Sequence, residues 1–322
     1  MKTVFSGIQP SGSVHLGNIL GALVNWRRMQ EKYKCYYCIV DLHSLTTFPD
    51  KDLLEKDKID TIKSLIAVGI DPNESIIYFQ SNLHHHAELS WILSNFCQIG
   101  ELQRMTQYKD KSESFGTHAG LFTYPVLMAA DILIHKADEV PVGDDQTQHL
   151  ELTRDIAMRF NQKYEDIFPI PARNSTKTGA RVMSLRHPES KMSKSSDDVA
   201  GTIYITDDDK EIIKKIKTSV TDSESKISFN KEEKPGLSNL IEILASITGK
   251  SIKETVKEVS GMQYGDFKMY VAENLITFMS PIRDKYLSLT DKKILEISDE
   301  GRDKATITAD KTLLEVKNCL GI

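Results

Sequence analysis

At 322 residues the chain is longer than one ordinary hydrophobic core supports, so two domains are expected. Hydrophobic residues make up 40% and charged ones 27%, which excludes a disordered chain, a collagen-like repeat and a disulfide scaffold. With 41 basic against 46 acidic side chains the formal charge is −5. That balance gives no overall electrostatic footprint for nucleic acid and leaves any RNA binding to a local patch.

In chain order, Thr3–Ile8 reads as a short strand ended by the turn Gln9-Pro10-Ser11-Gly12. A helix follows, with Leu20, Leu23, Val24 and Arg27 at helical spacing. Residues 36–40 form an apolar strand, Lys51–Val68 an amphipathic helix stopped by Gly69, and residues 76–80 another strand. Cys35 and Cys38 make a lone Cys-x-x-Cys in the apolar run 35–40. Without a second ligand pair they are expected as buried thiols of a protein in a reducing compartment.

Segments 125–135 and 146–164 look helical, the second with Leu152, Ile156, Phe160 and Tyr164 as one buried stripe. Beyond Asp207 the strand signals fade, and 210–220, 237–248, Ile252–Val259, 266–287 and 305–320 all carry helical periodicity. The Ser-, Lys- and Asp-rich stretch 186–201 suggests a mobile loop and a boundary. Strand-helix alternation of this length implies a parallel sheet covered on both faces, with ligands at the carboxyl ends of its strands. No leader-like start and no apolar stretch long enough for a bilayer is present, so a cytoplasmic protein without a membrane partner is expected.

Two segments carry chemistry. Gly7 to Gly12 followed by His15-Leu16-Gly17-Asn18 is a strand, a tight turn and a helix start, where exposed N–H groups and the helix dipole favour a phosphate. Gly17 and Gly21 leave a bare helix surface for a flat base. The bland reading is an ordinary glycine-containing turn. Lys191-Met192-Ser193-Lys194-Ser195 places compact cations on a loop, able to close on a leaving pyrophosphate; alone it is equally a solvated loop.

Together, a His-x-Gly-Asn variant of the His-Ile-Gly-His signature and a later Lys-Met-Ser-Lys-Ser loop resemble the class I aminoacyl-tRNA synthetases. Within them, the chain is similar to the bacterial-type tryptophanyl-tRNA synthetases. The stretches carrying this are FSGIQPSG, CYYCIVDLH, IGELQRMTQYKDKS, YPVLMAADIL and PVGDDQTQHLELTRD, and the resemblance runs along essentially the whole chain. The resemblance implies a Rossmann-type catalytic domain over 1–186, a signature loop and linker over 187–206, and a helical anticodon-binding domain over 207–322.

It also implies ATP across Gln9, Pro10, Ser11, Gly17 and Asn18, with Gly143, Asp144 and Asp145 near the ribose. The Val182 backbone would meet the adenine, and Lys191, Met192, Ser193, Lys194 and Ser195 would cover the phosphates. His15, Lys111, Lys191 and Lys194 are the implied catalytic set. Tryptophan would lie among Phe5, Gly7, His43, Tyr124, Met128, Asp131, Val140, Val142 and Gln146. Mg²⁺ is expected with ATP, no metal is expected on the protein itself, and tRNA(Trp) and a second copy of the chain are the expected partners.

One of these residues has an argument of its own. Asp131 sits in the apolar run 127–134, where a carboxylate needs a donor. Met128 shares its helix face, and Tyr124 stands just before Pro125, expected as the first helical residue. The donor is either a lysine or arginine of the protein or the single N–H of a flat aromatic ligand; with the resemblance, the ligand is expected. The rivals are a tyrosyl-tRNA synthetase, a small-molecule nucleotidyltransferase and a non-catalytic RNA-binding paralogue. His84, His85 and His86 are expected as a solvated loop or helix start, ahead of a metal site.

Overall fold

The structure, a computed structural model, describes residues 1–174, 181–193, 199–224 and 226–322; at residues 110, 111 and 144 the description covers the backbone alone. Five parallel strands, β1 (Thr3–Ile8), β2 (Lys34–Ile39), β3 (Ser75–Phe79), β4 (Glu139–Val140) and β5 (Ala172–Arg173), form one sheet in the order β3-β2-β1-β4-β5. Phe5 lies opposite Tyr36 and Gly7 opposite Cys38. The chain builds β1, β2 and β3 to one side, then returns to the other flank of β1 with β4. Strand order therefore reverses between β1 and β4, and the crevice outside their carboxyl ends is where such sheets bind ligands.

The first crossover is α1 (Leu16–Asn18), a π segment at Ile19–Leu23 and α2 (Val24–Met29). After β2 come α3 (Asp41–Ser44) and α4 (Lys51–Val68); between β3 and β4 lie α5 (His85–Ser94), α6 (Ile99–Gln103), α7 (Thr106–Phe115) and α8 (Ala119–Ile134). Helix α9 (Thr147–Lys163) leads to β5, and α10 (Asp209–Lys217), α11 (Pro235–Thr248), α12 (Ile252–Val259), α13 (Tyr264–Ser288) and α14 (Asp291–Leu320) complete the chain. Among the described residues no helix is long and apolar enough to cross a membrane.

Because both faces of the sheet are covered, β2 and β3 are apolar almost throughout. On one face Val4, Cys35, Tyr37 and Ile77 join a core with α4 and α10 to α13; on the other Phe5, Tyr36, Cys38 and Tyr78 join α5, α8 and α9. The paired cysteines thus face opposite ways as buried thiols. Helix α14 belongs to both cores, Ile294 and Ile297 to the first, Ala305, Ala309, Leu313 and Val316 to the second. It crosses β3 at Gly301, where a Cβ would fall 1.9 Å from the Ile77 carbonyl oxygen. Tyr36 Oη and Thr308 Oγ1, 2.8 Å apart, tie the same helix to β2. The last helix therefore rests directly on the sheet.

Three expectations change. Helix α8 starts at Ala119, capped by the His118 side chain, and Pro125 lies inside it. The missing hydrogen bond is outweighed by a face that buries Leu121, Pro125, Val126 and Ala129. Helix α14 starts at Asp291, not 305, capped by Thr290, because Gly301 serves close packing and breaks nothing. His85 and His86 do open a helix, but they are buried, not solvated.

Candidate active site

A cavity of about 260 Å³ opens at the carboxyl end of β1, on the β4 side. β1 supplies Phe5 and Gly7, α3 supplies His43, and α8 supplies Tyr124, Met128 and Asp131. Val140 and Val142, at the end of β4, and Gln146, just before α9, close it. All the residues expected around tryptophan are therefore brought together. Gly7 keeps the floor low, since a Cβ there would press on Val40 Cγ1 at 3.0 Å.

Asp131 is only 1% exposed. His43 Nε2 and its Oδ2 are 2.8 Å apart, and Gln80 Nε2 donates to its Oδ1 at 2.7 Å. His86 Nδ1 also lies 2.8 Å from Oδ1, a short but bent approach that counts as an ion-pair distance. Burial alone would raise the Asp131 pKa, but the donors that His43 and His86 bring to its oxygens outweigh it and hold the carboxyl at about 2. The protein partners are thus two histidines and a glutamine in place of the lysine or arginine considered from sequence. Across the cavity, Tyr124 Oη contacts His149 Nε2 at 2.9 Å, and His149 Nδ1 meets Gln146 Oε1 at 2.9 Å. Burial raises the Tyr124 hydroxyl to about 12, so it stays protonated at neutral pH.

A second, more open cavity of about 770 Å³ lies beside the first. Its walls are Gln9, Pro10, Ser11, His15 and Asn18 from the N-terminal turn and Lys191, Met192 and Ser193 from the distant loop. The His-Leu-Gly-Asn signature proves to be a capping box: His15 Nδ1 accepts from the Gly17 N–H at 3.1 Å, and Asn18 Oδ1 accepts from the His15 N–H at 3.1 Å. With Nδ1 accepting, a neutral His15 carries its hydrogen on Nε2, the tautomer able to donate to a phosphate oxygen. Gly12, at φ +72°, makes the turn, and its N–H donates to Asp57 Oδ2 at 2.5 Å. The loop is stitched in by backbone bonds: Met192 N–H to Val182 O at 3.1 Å, and Leu16 N–H to Ile203 O at 2.8 Å.

Gly17, Gly143, Asp145 and Val182 line neither cavity. The bare surface expected at Gly17 is covered, because a Cβ there would lie 2.9 Å from His15 Cε1. Lys194 and Ser195 lie outside the described residues, as do the side chains of Lys111 and Asp144. Sequence reasoning missed Gln80, His86, His149 and Asp57; only His149, three residues after Gln146 on one helix face, left a usable signal. Among the described residues no three His, Cys, Asp or Glu side chains converge as a metal would require.

Residues 1–280 match the family model described as tRNA synthetases class I (W and Y). The chain is similar, at 49% identity over all of it and 99% of the relative, to a tryptophan–tRNA ligase of Oceanobacillus iheyensis. Among solved structures it is similar to the tryptophanyl-tRNA synthetase of Mycoplasma pneumoniae, with TM-score 0.86, 34% identity, and 100% and 98% of the two chains covered. The Campylobacter jejuni tryptophanyl-tRNA synthetase, complexed with ADP and tryptophan, gives TM-score 0.86 and 34% identity over 99% and 100%.

Proposed function

The chain belongs to the class I tRNA synthetases for tryptophan and tyrosine, and from that membership we propose how its two cavities share one reaction. It activates tryptophan with ATP to tryptophanyl-adenylate and diphosphate, then passes tryptophan to tRNA(Trp). The smaller cavity takes the indole, with Asp131 as acceptor for its N–H and Phe5, Met128 and Val140 as apolar walls. The larger one takes ATP, with Asn18 and the His15 Nε2–H toward the phosphates and Lys191 to Ser195 closing over them. Gly143, Asp144 and Asp145 would serve the ribose, Val182 the adenine, and Lys111 the phosphates.

One observation carries this reading: Gln9 lines both cavities. A tryptophan carboxylate and an ATP α-phosphate would meet there for in-line attack. No nucleophilic side chain is needed; the protein positions the reactants and neutralises charge. ATP brings Mg²⁺ as part of the substrate complex.

The helices after Asp207 would meet the anticodon, and the enzyme would work in the cytoplasm as a homodimer. An exposed apolar face favours the dimer: Phe48 and Trp91, 72% and 75% exposed, border a depression that shares His43 and Tyr124 with the tryptophan cavity. Exchange of pyrophosphate into ATP, run with each of the twenty amino acids, tests the function. Tryptophan alone should support it; exchange driven by tyrosine would refute the assignment.

A further inference from the structure

Behind the smaller cavity lies a run of buried polar side chains to which the proposed reaction gives no role. His86 and Tyr78 are fully buried, and His135 is 1% exposed. Tyr78 Oη stands 3.1 Å from His86 Nε2 and 2.7 Å from His135 Nε2. The His135 ring stacks on Tyr36 with centroids 4.1 Å apart, so it is not free to turn. Burial pushes the Tyr78 hydroxyl well above its ordinary range and His135 well below its own, which keeps both neutral.

Counting hydrogens then orders the run. Tyr78 has one hydrogen to give and two imidazole nitrogens beside it, with the neutral Cys38 thiol able to donate to its oxygen. If it donated to His135, that ring would carry its hydrogen on Nδ1, which is buried and has no hydrogen-bond partner. His86 would also need a second proton to donate from Nε2. If Tyr78 donates to His86, His135 donates from Nε2 and its Nδ1 is merely an unused acceptor. An unused buried acceptor is the smaller fault. The hydrogens therefore point one way, from His135 to Tyr78, to His86 Nε2, and from His86 Nδ1 towards Asp131.

The consequence falls on Asp131. Its Oδ1 accepts from Gln80 at 2.7 Å and has His86 Nδ1 2.8 Å away on a bent approach, which leaves no room there for a ligand donor. Its Oδ2 has His43 alone among the described residues. His43 lines the cavity, whereas Gln80 and His86 do not, so Oδ2 is the oxygen on the cavity side.

We propose that His86, with its hydrogen held on Nδ1 by Tyr78, is a positioning residue for tryptophan selectivity: it fills Asp131 Oδ1 and leaves one acceptor place facing the ligand. This rests on the proposed role of Asp131 towards the indole. Without His86 the buried carboxylate loses a donor and binds a proton more readily. A protonated carboxyl no longer demands an N–H from the ligand.

The test is the ratio of kcat/KM for tryptophan to that for benzothienylalanine, whose ring sulfur replaces the N–H, measured by pyrophosphate exchange. His86→Leu should lower the ratio about tenfold, the scale of one hydrogen bond to a charged group. His86→Asn places an amide N–H near the former Nδ1 and should keep the ratio within about threefold. In His86→Leu the pH below which selectivity disappears should also move up. A purely structural role would slow both substrates alike, and an unchanged ratio in a folded His86→Leu would overturn the proposal alone. A wild-type ratio near one would instead remove the Asp131 reading beneath it. Should His86→Leu fail to fold, Tyr78→Phe carries the same test: the ratio should fall, and an unchanged ratio overturns the proposal.

Discussion

The two cavities are neighbours at the end of one strand, yet they are built in opposite ways. The smaller is fixed by side chains: Asp131 has three side-chain partners, two of them fully buried, and Tyr124 is braced through His149 to Gln146. The larger is fixed by backbone: a capping box at His15 and hydrogen bonds that join residues 182–192 to Gly201 and residues 203–205 to Val14 and Leu16 after the N-terminal turn. Rigid, desolvated polar groups suit discrimination between similar ligands. Charges on a loop suit a group whose charge grows and then leaves. Selectivity and rate should therefore respond to different mutations.

The largest separation is expected from Lys194→Ala. It should lower kcat by about a hundredfold while the KM for tryptophan stays within about twofold, the signature of the proposed action on the transition state. A kcat within about twofold of wild type, only ~0.4 kcal/mol, would remove the loop from the chemistry. Asp131→Ala should do the converse, costing about ten- to a hundredfold in kcat/KM for tryptophan. The loss for a substrate without the ring N–H should be far smaller. Equal losses for both, with a lowered melting temperature, would reduce Asp131 to a brace of the fold.

Acid should weaken the small cavity before the large one. Burial keeps the native His135 pKa well below 6.5, so as pH falls below about 6.5 the unfolded chain binds a proton that the native state refuses. Stability from this group should fall by up to about 1.4 kcal/mol per pH unit. Asp131 works in a lower window: its stabilising contribution is complete above about pH 4 and is lost on acidification towards its native value of about 2. Thermal melts from pH 7 to 5 should show a shallower decline for His135→Gln; parallel curves would mean His135 does not govern it.

The smallest effect belongs to the helical region. Lys214 and Lys217 are exposed on α10, whereas Lys215 is buried against Asp207 at 2.6 Å and cannot reach a phosphate. Replacing the two exposed lysines by alanine should leave adenylate formation unchanged. The salt dependence of tRNA charging should flatten by roughly 0.7–0.9 for each phosphate they would otherwise neutralise. An unaltered slope leaves them as plain surface.

How much of this was legible depended on whether a relation is local. Met128 and Asp131 share a helix face by spacing, and His15 to Asn18 form their capping box within four residues, so both could be read from the chain. Gln80 and His86 reach Asp131 only because β3 lies beside β2 and α5 packs on α8, which no periodicity announces. The three histidines in a row looked like polar surface for that reason. Pro125 and Gly301 misled in a related way: each is a breaker by local rule and is kept by packing against residues far away in sequence.

The division between the cavities meets its most direct test in a crystal structure with a non-hydrolysable tryptophanyl-adenylate analogue. The indole should lie between Phe5 and Met128 with its N–H on Asp131 Oδ2, the acyl-phosphate link beside Gln9, and the adenosine in the larger cavity. An indole nitrogen turned away from Asp131, or a phosphate link remote from Gln9, would contradict it.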